Sequence, residues 1–199
     1  MSLGVCVVGA GAAGLTAALR AAESGATVTL LNAHPRIGLK ILMSGGTRCN
    51  VTHRIVTPRD YHGGSSHFVA RVLRAFTPEQ TVEWFQTLGV ALKLEETGKY
   101  FPESDDARTV LDALLRAVER AGVEVRCGAR VVRLERGVGG GPRFRVGVQE
   151  VHDSAAFNEV SAIGRAHWEP PSVAADPWTR LRQHTAARIA LGRSGASLP

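Results

Sequence analysis

Three glycines near the start of the chain stand at a spacing suited to phosphate. Gly9-Ala10-Gly11-Ala12-Ala13-Gly14 has the form G-x-G-x-x-G. In that form the first glycine makes a tight turn, the second lets a pyrophosphate approach the backbone, and the third lets a helix pack closely on a strand. Unpaired N–H groups at the helix start, including those of Ala12 and Ala13, then face anionic oxygens. The chemistry is dinucleotide binding, and the bland alternative is a structural glycine turn. Asn32 stands where such motifs place an Asp or Glu for a ribose hydroxyl. Asparagine accepts a hydrogen bond but carries no charge, so a looser hold on the ribose is expected. With no adjacent arginine, no 2′-phosphate preference is implied.

The elements around the glycines give them their meaning. Residues 4–8 are a short β-branched run of the kind a buried parallel strand needs, and Cys6 within it reads as a small core residue. Residues 12–23 are alanine-rich and end near Gly25, and residues 26–31 form the next strand, completing a βαβ unit. Residues 33–67 are irregular, polar and glycine-rich and read as a long loop or a loop with a short helix, which in a compact domain is functional or disordered. Thr77-Pro78-Glu79-Gln80 carries an N-cap, a first-turn proline and a capping-box glutamine, opening a helix that closes near Gly89. Ser104 is expected to cap another helix, with Val110, Leu111, Leu114 and Val118 on one apolar face and Gly122 at its end. Three short strands follow at 123–127, 129–134 and 144–148, the last two joined by a glycine-rich turn over 137–141.

After the second strand comes Pro35-Arg36-Ile37-Gly38-Leu39-Lys40-Ile41-Leu42-Met43-Ser44-Gly45-Gly46-Thr47-Arg48-Cys49-Asn50-Val51-Thr52. This run closely resembles the signature G-x-K-I-x-x-S-G-x-x-R-C-N of the BaiN-like (YhiN-like, aminoacetone-oxidase-type) FAD-dependent oxidoreductases. Phe101-Pro102-Glu103-Ser104, with Ala107, Val110 and Leu111, is also similar to that family, and the three strands after Gly122 fit its β-meander. The resemblance covers residues 4–148. It implies an α/β, glutathione-reductase-type FAD-binding Rossmann-like fold, a parallel sheet plus β-meander, with this loop wrapping the flavin. Carried over, Ser44, Gly45, Thr47, Arg48, Cys49 and Asn50 would lie near the pyrophosphate, ribityl chain and isoalloxazine, with Lys40 nearby. Val131 would offer backbone contacts to the adenine. A cation near the flavin N1/C2 carbonyl favours the anionic reduced form, a role open to Lys40 or Arg48, which otherwise read as surface charges. Cys49 reads as a buried small residue rather than a redox group, with no neighbouring cysteine to resolve a disulfide. His53 and His62 read as ordinary loop histidines. Glu95-Glu96 and Glu103-Asp105-Asp106 read as solvated turn and helix-start charges, not a catalytic carboxylate pair.

The pattern then stops. The strand ending Ala-Thr-Gly-Gly, the substrate domain and the returning segment of family members are absent. Residues 149–199 instead hold Pro170-Pro171, two of the three tryptophans and a helix signal over 178–191. The expectation is a truncated FAD-binding domain over 1–148 and a divergent, poorly ordered tail over 149–199. Its function reads as an FAD-binding, NAD(P)H-linked oxidoreductase-like flavoprotein of unknown substrate and unassigned catalytic residues. The alternative is a non-catalytic remnant or dinucleotide-binding module without turnover.

Composition bounds the rest. Hydrophobic residues at 44% and charged residues at 21% are ordinary globular values. No stretch approaches the roughly 20 apolar residues needed to span a bilayer, and the start lacks a basic leader, so a cytoplasmic location without a membrane partner is expected. Three widely spaced cysteines give neither a disulfide framework nor a zinc pattern. The net charge of +6 comes from arginines scattered through 1–148, without a basic run or interleaved aromatics. That reads as a solvated surface rather than a nucleic-acid site, leaving a small-molecule substrate as the expected partner.

Overall fold

The computed structural model of the chain describes residues 3–137 and 143–151. In chain order the elements are β1 (Gly4–Val8), α1 (Ala12–Glu23), β2 (Thr27–Asn32), α2 (Leu39–Met43), β3 (Thr52–His53), a 3-10 turn (Pro58–Asp60) and α3 (Ser66–Ala75). They continue with α4 (Pro78–Thr87), β4 (Leu92–Leu94), β5 (Lys99–Pro102), α5 (Ala107–Arg120), β6 (Glu124–Cys127), β7 (Ala129–Arg136) and β8 (Phe144–Glu150). The described residues divide into two compact units, 3–37 with 118–137 and 143–151, and Gly38–Ala117.

In the first unit β1 and β2 pair in parallel, from Gly4 opposite Thr27 to Val8 opposite Leu31. The alanine-rich α1 joins them and buries Leu15, Ala18 and Leu19 on one stripe. β6 pairs in parallel on the other side of β2, from Thr29 opposite Glu124 to Asn32 opposite Cys127. The first of the three strands expected in a meander is therefore the third strand of the parallel sheet. The helix before it makes this possible, because parallel neighbours need a long crossover and not a hairpin. β7 and β8 pair antiparallel, with Ala129 opposite Glu150 and Arg136 opposite Phe144, and a register shift between Val131 and Arg133.

Within β1 the exposure alternates. Gly4, Cys6 and Val8 are exposed while Val5 and Val7 are half-buried, so Cys6 is not a core residue and β1 is not buried on both faces. Successive side chains point to opposite faces of a sheet, and the face carrying Cys6 and Val8 is the exposed one; among the described strands β1 is also an edge. β8 runs past the expected boundary at 148, and the Val151 N–H donates to the Gly128 carbonyl. Most of the glycine-rich turn over 137–141 and the helix signal over 178–191 lie outside the described residues.

The second unit carries a three-stranded antiparallel sheet in the order β3-β5-β4, with Thr52 opposite Tyr100 and Leu92 opposite Pro102. The stretch read as loop contains α2, β3, the 3-10 turn and the start of α3. The short helix α2 is within the expectation; α3 is not, although Phe68, Val69, Val72 and Leu73 fall at helical spacing. The capping box of α4 forms as expected, with the Gln80 N–H donating to the Thr77 hydroxyl and the Thr77 N–H donating to Gln80 Oε1. At α5 the cap differs from expectation. Asp106 Oδ1 accepts from the Arg108 N–H at 2.8 Å, while the Ser104 hydroxyl accepts from the Asp106 N–H and bonds Thr109. The carboxylate one residue before the helix reaches its first-turn N–H more directly than a serine three residues back. Val110, Leu111, Leu114 and Val118 are buried as their spacing requires.

Candidate functional site

In the first unit the glycine motif divides its labour by position. Gly9 has φ +95 and its N–H donates to the Leu31 carbonyl at 2.7 Å, a turn that side-chain-bearing residues rarely make. A Cβ on Gly14 would stand 1.7 Å from the Gly9 carbonyl oxygen, so α1 approaches β1 as closely as the chain allows. A Cβ on Gly11 would meet nothing within 4 Å, although this residue is the N-cap of α1 and no side chain caps the helix there. Open space directly over uncapped helix N–H groups is a cradle for an anion. Gly11, Ala12 and Ala13 are all exposed. The donor set fits the pyrophosphate of a dinucleotide.

Asn32, at the end of β2, comes to the same loop, but its side chain turns to the protein. Its Oδ1 accepts from the buried Ala10 N–H at 3.1 Å. Its Nδ2 donates to the carbonyls of His34, at 2.6 Å, and Arg36, at 3.0 Å. His34 Nδ1 accepts from the Arg36 N–H at 2.9 Å, and burial lowers the His34 pKa, keeping the ring neutral. Val131 is half-buried on β7 opposite Val148.

In the second unit the segment from Lys40 to Asn50 forms α2 and a contorted loop. Gly45, Gly46, Thr47 and Cys49 all have positive φ, at 57°, 68°, 70° and 65°. For Thr47 and Cys49 that conformation costs roughly 1–2 kcal/mol each. Three features hold it. The Cys49 N–H donates to the Ser44 carbonyl, and the Ala107 N–H donates to the Thr47 carbonyl. A Cβ on Gly45 would stand 2.7 Å from the Asn50 backbone nitrogen and 2.8 Å from the Phe101 ring, so only glycine fits. Arg48 donates to Glu95 at 2.5 Å and to Asp105 at 3.4 Å, with its guanidinium 4.0 Å above the Phe101 ring centre.

Arg48 is thus more than a surface charge, and Glu95 and Asp105 are more than solvated turn charges. Asp105 is also paired with Lys93, and the Lys93 hydrogen bond, ahead of Arg48, holds its pKa below the usual aspartate range. Phe101 belongs to the second family-like run, but nothing in that run shows that its ring lies under Arg48; Glu95, which pairs with Arg48, and Lys93, which pairs with Asp105, carry no motif signal at all. Cys49 is buried, as expected, and burial pushes its thiol up more than a contact with Ser44 pulls it down. Lys40, Thr47 and Asn50 are exposed. His53 bonds the carbonyls of Ile55 and Thr97 and packs against Gly98, which makes it structural. His62 is exposed.

The HI0933-like protein Rossmann domain family matches residues 3–190, past the end of the resemblance read from the sequence. The chain is 37% identical over 131 residues to the 3-dehydro-bile acid delta(4,6)-reductase of Clostridium scindens, a match covering 65% of this chain and 32% of that protein. It is 33% identical over 130 residues to the ribosomal RNA dihydrouridine synthase of Haemophilus influenzae, covering 65% and 32%. Among solved structures, the 3-ketosteroid-delta4-(5alpha)-dehydrogenase of Rhodococcus jostii RHA1 overlays with TM-score 0.49 at 15% identity, covering 66% of this chain and 39% of that one. The chain spans about a third of the length of these curated relatives.

Proposed function

The chain belongs to the HI0933-like family of FAD-dependent oxidoreductases, and from that premise we propose that it is the portion of such an enzyme that binds FAD. The observation that carries this reading is the open space over Gly11 at an uncapped helix start. Backbone N–H groups of the first turn of α1 receive the pyrophosphate, and the partial positive charge of that helix end favours it. Gly9 and Gly14 hold the turn and the helix so that those groups converge.

When bound, FAD supplies reversible transfer of hydride or single electrons. The family motif assigns Lys40, Ser44, Gly45, Thr47, Arg48, Cys49 and Asn50 to the same cofactor, and Val131 to backbone contact with the adenine. In this chain Arg48 serves the loop first, since its charge is balanced by Glu95 and Asp105. Exposed Lys40 is the better candidate for a cation at the flavin.

A reduced nicotinamide as donor and an organic molecule as acceptor complete the proposal. The relatives' names supply a bile acid for one and a ribosomal RNA for the other. What they share with this chain is then better suited to handling the flavin than to choosing the substrate. The test is an FAD titration of the purified chain, followed by visible absorbance after removal of free flavin. Retained flavin supports the reading. A colourless protein that takes up no added FAD contradicts it and leaves a fold without cofactor.

A further inference from the structure

We propose that Asn32 is a positioning residue that latches the glycine loop to the turn after β2, and that an amide is required there because an acid cannot do the same work. Ala10 N–H can only donate, and the His34 and Arg36 carbonyls can only accept. The three contacts at 3.1, 2.6 and 3.0 Å therefore fix which end of the amide is oxygen. Both Nδ2 hydrogens are spent on the two carbonyls, and Oδ1 is spent on a buried N–H that would otherwise have no partner.

Ala10 sits between Gly9 and Gly11, so the latch sets the backbone on both sides of the residue that carries the cradle. At its other end the turn is closed by the Arg36 N–H on His34 Nδ1. An aspartate of the same shape would keep the bond to Ala10 but would aim a bare carboxylate oxygen at two carbonyl oxygens. Asn32 is thus not a weak version of the acid expected for a ribose hydroxyl. It trades that contact for a fixed loop.

The latch itself is independent of any ligand; its effect on FAD rests on the proposed function. The experiment compares the wild-type chain with Asn32→Asp, by thermal unfolding and by FAD titration, from about pH 8 down to about pH 5. His34 and Arg36 flank the position and Cys127 lies opposite it on β6; all three are present in both proteins, so the difference between the proteins reads position 32. The expected result at the upper pH is a lower unfolding temperature and FAD binding weaker by ~10-fold for N32D. Both differences shrink at the lower pH, because two carbonyl oxygens facing the carboxylate disfavour its charged form and raise its pKa above the ordinary aspartate range, so that the protonated carboxyl again donates to one of them.

An N32D protein that binds FAD as tightly as wild type, or more tightly, overturns the proposal, since position 32 would then face the ribose. A loss that does not recover on acidification overturns it too, as generic disruption. If wild type itself takes up no FAD, the proposed function fails while the latch is still decided. Equal unfolding temperatures across the pH range then refute the latch, and a pH-dependent gap supports it.

Discussion

The guanidinium of Arg48 lies 4.0 Å above the centre of the Phe101 ring while it donates to both Glu95 and Asp105. A planar, always charged fork can satisfy two carboxylates and stack on a ring at once, whereas an ammonium group acts as a single point charge. Arg48→Ala is therefore expected to lower the unfolding temperature, and Arg48→Lys to recover less than half of that loss. Thermal denaturation followed by circular dichroism measures both. Full recovery by lysine would mean that charge alone, without the stack and the fork, holds the loop.

The loop around Arg48 was legible as a motif but not as a structure. Ser44–Asn50 could be recognised from residue types in order, yet the backbone at Thr47 and Cys49 adopts positive φ that neither residue favours. The partners that make this tolerable, Lys93, Glu95, Phe101 and Asp105, come from elements with no periodic signal of their own. Local order carried further elsewhere. β1 and α1 follow the residue pattern to the residue, because a β-branched run, glycines and alanines each have one strong local preference. α3 was missed although Phe68, Val69, Val72 and Leu73 fall at helical spacing; Phe68 and Val72 are exposed all the same. Asn32 was read correctly as the end of the second strand. Its hydrogen bonds were not legible, since the sequence cannot show that two carbonyls turn back onto it.

Of the two cysteines expected to be buried, only Cys49 is. Desolvation pushes both thiols up, with Arg126 pulling that of Cys6 back, but Cys6 is exposed whereas Cys49 is buried. Reaction needs both access and thiolate, so iodoacetamide at mildly alkaline pH is expected to label Cys6 faster than Cys49 by ~10-fold or more. Peptide mass spectrometry over a time course gives both rates. Comparable rates would show the Gly45–Asn50 loop opening readily, contrary to the packing described.

His34 gives the turn after β2 a pH dependence with a definite sign. Its pKa is lowered in the folded chain, chiefly by burial, so folding favours the neutral ring that accepts the Arg36 N–H. A histidine depressed in this way contributes stability that is present above the ordinary histidine range and lost as pH falls through its folded value. Unfolding temperature should therefore decline as pH drops below about 6.5. The decline should be smaller in His34→Asn, whose side-chain oxygen accepts without titrating. Identical pH profiles for the two proteins would remove His34 as its source.

The most direct test of the account is Gly11→Val. The backbone at Gly11 is extended, at φ −87 and ψ −171, a conformation valine favours, and its Cβ position is open, so a side chain there asks for no backbone strain. The added methyls occupy the space assigned to the pyrophosphate. The account predicts an unfolding temperature close to wild type together with loss of FAD binding in a side-by-side titration. A Gly11→Val protein that binds FAD as wild type does would contradict the claim that this loop holds the cofactor.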